Sequence, residues 1–338
     1  MHKSNVFITG HKGFIARNLI SALENRGYSL VVPDVETNIC DYDAIKREIL
    51  KAGLVIHNAT VAGTDVCALN PRKAIDINIY GTYNVFDICS KYRIPVIYFS
   101  TTNIYDSEFY QDKEIDENSA LFPRTLYAQT KSFGEDLLFT SGEKVDGGFI
   151  NYAIMRPLFC YGGVGDMNSL ISKTIYNFIK NVNERKNNKV DIFLDPSKTK
   201  DYMYVNNFCD AVCSIVDKRM YYTGIDFNVS QGEPLVTSSI VELLDEIVSK
   251  KIGITSVSPS SFIDWHPETD YLGNHIVSNS SICEKTGWSP KISLEEGISF
   301  AFDSIYENMN EYNPLMHLNI IRDNSVNFKG FYPDTRSK

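Results

Sequence analysis

The stretch Asn5-Val6-Phe7-Ile8-Thr9-Gly10-His11-Lys12-Gly13-Phe14-Ile15-Ala16-Arg17-Asn18-Leu19-Ile20 decides the fold. A short apolar run ends in Thr9, a glycine turn follows, and apolar residues then recur at helical spacing, so the segment reads as strand, tight turn and helix. Glycines at 10 and 13 permit the turn and let a pyrophosphate approach the backbone, where the amides of the helix start (Phe14, Ile15) meet its charge. Ala16 stands at the third small position, where it still allows close helix-to-strand packing. A turn of this kind alone is weak support for a dinucleotide, because many tight strand-to-helix turns carry two glycines.

Outward from that stretch the pattern repeats. Ser29–Pro33, Leu54–Asn58, Val96–Ser100 and Ile150–Arg156 read as further buried strands, each separated from the next by amphipathic segments. Alternating strands and crossover helices predict an α/β fold: a Rossmann-type, doubly wound parallel sheet whose ligand crevice lies beyond the carboxyl ends of the strands. The expected organisation is a dinucleotide-binding domain over residues 1–165, to which the chain returns around 205–230, and a smaller α/β substrate lobe over 166–311. Residues 312–338, rich in Asn, Asp and Ser, are unassigned.

Composition narrows the class. The chain has 338 residues, enough for one composite unit or two abutting domains, and a net charge of −9 with no Lys/Arg run. Nucleic acid and anionic membrane are therefore not expected partners. No apolar stretch is long enough to span a bilayer, and the expected location is cytoplasmic. Seven scattered cysteines, mostly in apolar runs, read as free buried thiols, and no metal site is expected.

Asp34 ends the second strand, where a carboxylate accepts hydrogen bonds from the ribose hydroxyls of NAD and repels the 2′-phosphate of NADP. NAD is favoured, although Lys12 in the glycine turn offers NADP a countercharge. Asn38 and Ile39 follow at a spacing that lets them line the adenine. Tyr127 and Lys131 lie four apart in a helix-like segment and share one face. A nearby ammonium stabilises a phenolate, so the pair suits proton transfer, with Lys131 also able to reach the nicotinamide ribose. Ser100, Thr101, Thr102 and Asn103 sit at a strand end beside that helix, where the Thr101 hydroxyl can hydrogen-bond a reacting oxygen. Each of these has a plainer reading: a solvent-facing helix pair, a capped strand end.

Taken in order, the residues resemble the extended short-chain dehydrogenase/reductases, in the nucleotide-sugar epimerase, dehydratase and reductase branch. The glycine turn, Asp34, His57-Asn58-Ala59-Thr60, Asn78 within Asp76–Thr82, the Thr101 strand end and the Tyr127/Lys131 pair follow that family's sequence. Met155-Arg156-Pro157 with Tyr161-Gly162, Lys200–Val205, Cys283–Pro290 and Ser293–Gly297 extend the likeness over most of residues 4–300. The resemblance implies Tyr127 as base, Lys131 as its activator and Thr101 as hydroxyl partner, with Asn58, Ala59, Thr60, Asn78, Ser100 and Pro157 against the cofactor. It also implies a nucleotide-sugar substrate and a homodimer formed through the helices of Ile79–Tyr92 and Leu126–Thr140.

Two departures shape the expectation. Dehydratases of the family carry Asp-Glu directly after the position of Thr101. Thr102 and Asn103 stand here and supply neither acid nor base. Phe159 replaces an Asn found near the substrate diphosphate in many relatives, and Lys200 replaces an Arg while still supplying a positive charge; with Thr102 and Asn103 these are the expected substrate contacts. The leading expectation is a C4 epimerase acting through a transient 4-keto sugar. The alternatives are a 4-keto-sugar reductase and a dinucleotide-binding sensor or scaffold without turnover.

Overall fold

The computed structural model describes residues 5–309 except 34–36, 106, 111–112, 142–149, 164, 167–168, 185–188, 254–262, 268–269 and 271–272. Strands β1 (Val6–Thr9), β2 (Leu30–Val31), β3 (Leu54–His57), β4 (Val96–Phe99) and β5 (Tyr152–Pro157) join the Ile225–Val229 strand in one six-stranded sheet. Its order is β2-β1-β3-β4-β5-(Ile225–Val229), and every neighbouring pair is parallel. β1, β3 and β4 are buried at every position, as strands covered on both faces must be. The first helix, α1 (Phe14–Asn25), packs with the Val205–Asp217 helix on one face. Ile45, Ile49, Val85, Phe86, Ile88 and Leu138 cover the other, on the helices Tyr42–Ile49, Thr82–Tyr92 and Leu126–Ser141.

The chain leaves β1 toward β2 on one side, whereas β3 lies on the other. This reversal opens a crevice beyond the carboxyl ends of β1 and β3, the place where ligands of such sheets bind. The segment 205–229 supplies both a covering helix and the last strand of the sheet. Ile282 and Trp288 also pack with the sheet core, because the Ser280–Thr286 helix lays its apolar side on the Val205–Asp217 helix and the last strand. Residues past Asp166 are thus interleaved with the sheet layer twice. A separate core forms where the helices Leu170–Glu184, Thr237–Ile252 and Leu294–Glu307 meet. The last of these starts at a capping box in which Ser293 and Glu296 satisfy each other's backbone amides.

Candidate active site

A cavity of about 500 Å³ occupies the crevice. Gly10 sits at φ 66° with the Cα of Ala59 only 2.8 Å from where a Cβ would stand, so a side chain would both strain the backbone and push the next turn away. The amide of Gly13 donates to the Gly10 carbonyl at 2.9 Å, closing the turn. The helix that starts at Phe14 has no side-chain cap and no acidic residue in its first turn. Its amides and dipole therefore face the cavity uncompensated, which suits an anionic pyrophosphate.

The turn after β3 closes the other side. The Thr9 hydroxyl accepts from the amides of Asn58 (3.1 Å) and Ala59 (3.0 Å), and the Asn58 side-chain amide donates to the Gly10 carbonyl at 3.3 Å. Asn78 does not line the cavity. It is buried within a π-helical turn, Asp76–Gly81, and its amide ties Thr60, the backbone of Val61 and Thr130 together. It therefore braces the wall from behind.

Of the residues expected from sequence, Gly10, Gly13, Phe14, Ile15, Asn38, Ile39, Asn58, Ala59, Thr60, Ser100, Tyr127, Lys131 and Pro157 converge on this cavity. Thr37, Ala62, Ile77 and Phe99 also line it and were not singled out. The signal for Ala62 and Ile77 is only their adjacency to the Asn58–Thr60 turn and to Asn78. Lys12 is exposed and outside the cavity wall, and Asp34 lies outside the described residues.

Tyr127 and Lys131 face the cavity from the Leu126–Ser141 helix, one turn apart. Burial pushes the Tyr127 phenol up, Cys67 adds to this, and a hydrogen bond with Thr101 works in the opposite direction. Burial also lowers Lys131 to about 7, with Glu135 and Cys67 opposing. The expected depression of Tyr127 by Lys131 is therefore not seen. Both groups are desolvated together, and desolvation disfavours the charged form of each. Thr101 accepts from the Asn103 amide at 3.2 Å, which leaves its own proton for an acceptor such as a phenolate.

Thr102 is buried and donates to the Pro157 carbonyl at 3.4 Å, so its hydroxyl holds two strand ends together. Asn103 is half-buried beside it, outside the cavity wall. Phe159 packs on Tyr202 and His275, away from that wall. Lys200 departs from its expected role as a substrate cation. It is fully buried, 3.2 Å from the Asp270 carboxylate and 3.0 Å from the Gly273 carbonyl, so its charge is compensated within the protein.

Behind the pair lies a buried ionic network. Glu135, one turn past Lys131, accepts two hydrogen bonds from Arg156 on β5 at 3.0 and 2.7 Å. Arg156 also reaches the Tyr105 hydroxyl (2.7 Å) and Asp226 (2.6 Å). Burial works against the Arg156 charge, and Glu135, with Tyr105 and Asp226, more than restores it.

With this geometry in place, the NAD dependent epimerase/dehydratase family matches residues 6–230. The chain belongs to that family. Its members are NAD-dependent enzymes acting on sugar nucleotides, and the uncapped helix, the Gly10 turn and Lys131 fit that cofactor. Over 282 residues the family member is 25% identical to UDP-glucuronate 4-epimerase of Thermodesulfobacterium geofontis, covering 81% of this chain and 79% of that one. It is 24% identical to the dTDP-D-glucose 4,6-dehydratase of Homo sapiens, over 91% of this chain and 90% of the relative. The structure of UDP-glucose 4-epimerase from Bifidobacterium longum in complex with NAD+ and UDP superposes with a TM-score of 0.78 at 15% identity, over 90% and 99% of the two chains. Among the described residues, no helix of this family member is long and apolar enough to cross a membrane. Nor, among those described residues, do any three His, Cys, Asp or Glu gather as a metal site.

Proposed function

We propose that the protein is a nucleotide-sugar C4 epimerase that works through a transient 4-keto sugar. One observation carries the reading: Tyr127 and Lys131 face the cavity from one helix, while Thr102 and Asn103, where dehydratases of the family place an acid and a base, supply neither. Elimination of water needs an acid and a base at neighbouring carbons. Oxidation and reduction at one carbon need a single proton acceptor, a hydroxyl partner and a cation.

NAD, held by the Gly10–Ile15 turn, the Asn58–Thr60 turn and Lys131, supplies the hydride acceptor and donor when bound. Tyr127 takes the proton of the sugar C4 hydroxyl and later returns it to the same oxygen. Thr101 steadies that oxygen or the phenolate by hydrogen bonding. Asp34 accepts from the adenosine ribose and sets the preference for NAD over NADP. The region past Asp166 receives the nucleotide sugar, and because Lys200 is compensated by Asp270, the substrate diphosphate relies on other donors. The relatives' names make UDP-hexoses and UDP-hexuronates the first members of a substrate panel.

The test is incubation of each nucleotide hexose with the protein and catalytic NAD, followed by chromatography and mass spectrometry. A C4 epimer of unchanged mass, with no net change in nicotinamide absorbance, is expected. Stoichiometric oxidation of NADH or NADPH on a 4-keto sugar, without epimer from the alcohol, would make it a reductase. A product lighter by one water would overturn the reading of Thr102 and Asn103.

A further inference from the structure

We propose that Tyr98, which does not reach the cavity, is a positioning residue whose ring holds the Lys131 side chain at the cofactor and keeps it charged. The proposal rests on the reading of Lys131 as the cation that faces the cofactor.

Tyr98 lies in β4, directly beneath the helix that carries Lys131. The Lys131 ammonium sits over its ring, 4.3 Å from the centroid, and the Tyr98 hydroxyl donates to the Lys131 carbonyl at 3.2 Å. One residue therefore touches both ends of Lys131, its charge and its backbone. The fit depends on Gly134, one turn along the helix, where a Cβ would collide with the Tyr98 hydroxyl and ring carbon. The helix can lie this low only with glycine there.

The ring is itself fixed. His57 stacks on it with centroids 5.7 Å apart and planes 19° apart, and Phe86 meets it edge-on at 5.4 Å. The Thr9 hydroxyl accepts from two backbone amides, so its proton is free for the His57 Nδ1 at 2.8 Å. His57 then carries its own proton on Nε2 and donates to Thr82 at 3.0 Å. Burial, with Lys131 adding to it, pushes His57 down to about 3, so it stays neutral and does not compete with the ammonium.

A π face is one of the few apolar surfaces that favours a cation over its neutral form. Lys131 needs such help, because burial lowers it to about 7. The other titratable groups around it are Glu135 on its own helix, Cys67 on the Thr64–Leu69 helix, His57 on β3 and Tyr127 one turn back. Glu135 and Cys67 act in the same direction as the ring.

NAD affinity as a function of pH, measured by calorimetry on the full chain from pH 5.5 to 9, tests this. Wild-type affinity should fall as pH rises past the Lys131 midpoint. Tyr98→Phe keeps the ring and should follow the wild-type curve within about twofold. Tyr98→Leu removes it and should lower the midpoint by about one unit, leaving affinity unchanged at pH 5.5 and about tenfold weaker well above neutrality. If the leucine variant does not fold, Tyr98→Met removes the ring with less change in volume. A ringless variant weakened equally at every pH, or with an unmoved midpoint, would overturn the role of Tyr98. So would a phenylalanine variant that shifts as far as the leucine one. A Lys131→Met variant that binds NAD as tightly as wild type at pH 5.5 would instead remove Lys131 as the cofactor-facing cation, and Tyr98 with it.

Discussion

Arg156→Met should be among the most destabilising single changes in this protein. The guanidinium is 2% exposed and Glu135 is 0% exposed, so the substitution strands a carboxylate that water does not reach, with Lys131 one turn back as its remaining cationic neighbour. Breaking a buried pair by removing one partner costs about 3–5 kcal/mol. Asp226 loses the same partner but is 27% exposed and can turn to water, so its share is small. Total stabilities of folded domains are about 5–15 kcal/mol, which makes the loss a large fraction of the whole. Urea unfolding followed by circular dichroism should show a lower midpoint with an unchanged slope. The penalty should be smaller at pH 5 than at pH 8, because the stranded carboxylate can take up a proton. Arg156→Met/Glu135→Leu should recover much of the loss, since an apolar pair of similar volume escapes the desolvation of both charges. A single variant within about 1 kcal/mol of wild type at pH 8, or a double variant as unstable as the sum of the singles, would refute the account.

Four other outcomes are expected. Tyr127→Phe should abolish turnover while NAD binding, read by calorimetry, persists; near-normal activity would remove Tyr127 from the mechanism. NAD should bind more tightly than NADP, and Asp34→Ser should narrow the gap, whereas tighter NADP binding by the wild type would favour Lys12 over the carboxylate. Lys131→Met should stabilise the cofactor-free protein most below pH 7. There the folded wild type carries a buried charge, and that penalty is relieved as pH rises from about 7 toward the ordinary lysine value, so a gain that grows with pH in urea titrations would reverse the sign. Tyr80, Tyr83 and Phe133 are exposed on the adjoining helical segments 76–92 and 126–141, so a homodimer is expected by light scattering, with Phe133→Asp shifting it to monomer; a monomeric wild type at micromolar concentration would sink the dimer.

Much of the site was legible because its signals are local. The strand ends, the glycine turn and the four-residue spacing of Tyr127 and Lys131 each follow from a few adjacent residues, and the fold brings them to one cavity. What escaped the sequence depends on partners far along the chain. Lys200 reads as an available cation until Asp270, seventy residues on, is seen to hold it. The bonds that the Asn78 amide makes to Thr60, Val61 and Thr130 likewise join segments up to fifty-two residues apart. The sign of the Tyr127 shift was missed for a related reason: spacing reveals the neighbouring charge, whereas the depth of burial that outweighs it belongs to the tertiary structure.

The π-helical turn at Asp76–Gly81 bears on how this chain can vary. Such a turn holds one residue more than an α-helix spanning the same rise. Deleting a residue between 76 and 81 would leave an ordinary helix whose flanks keep close to their present faces, because the wide turn takes up the extra residue, yet the residues inside the turn would be redistributed about the axis. Asn78 would then swing away from Thr130, while the Thr82–Tyr92 helix would keep its face to the sheet. Variants that lose a residue here should fold their helices and still lose the wall that Asn78 braces. In an alignment, a one-residue gap at this place marks a change in architecture, while a gap of the same size in an exposed loop marks nothing.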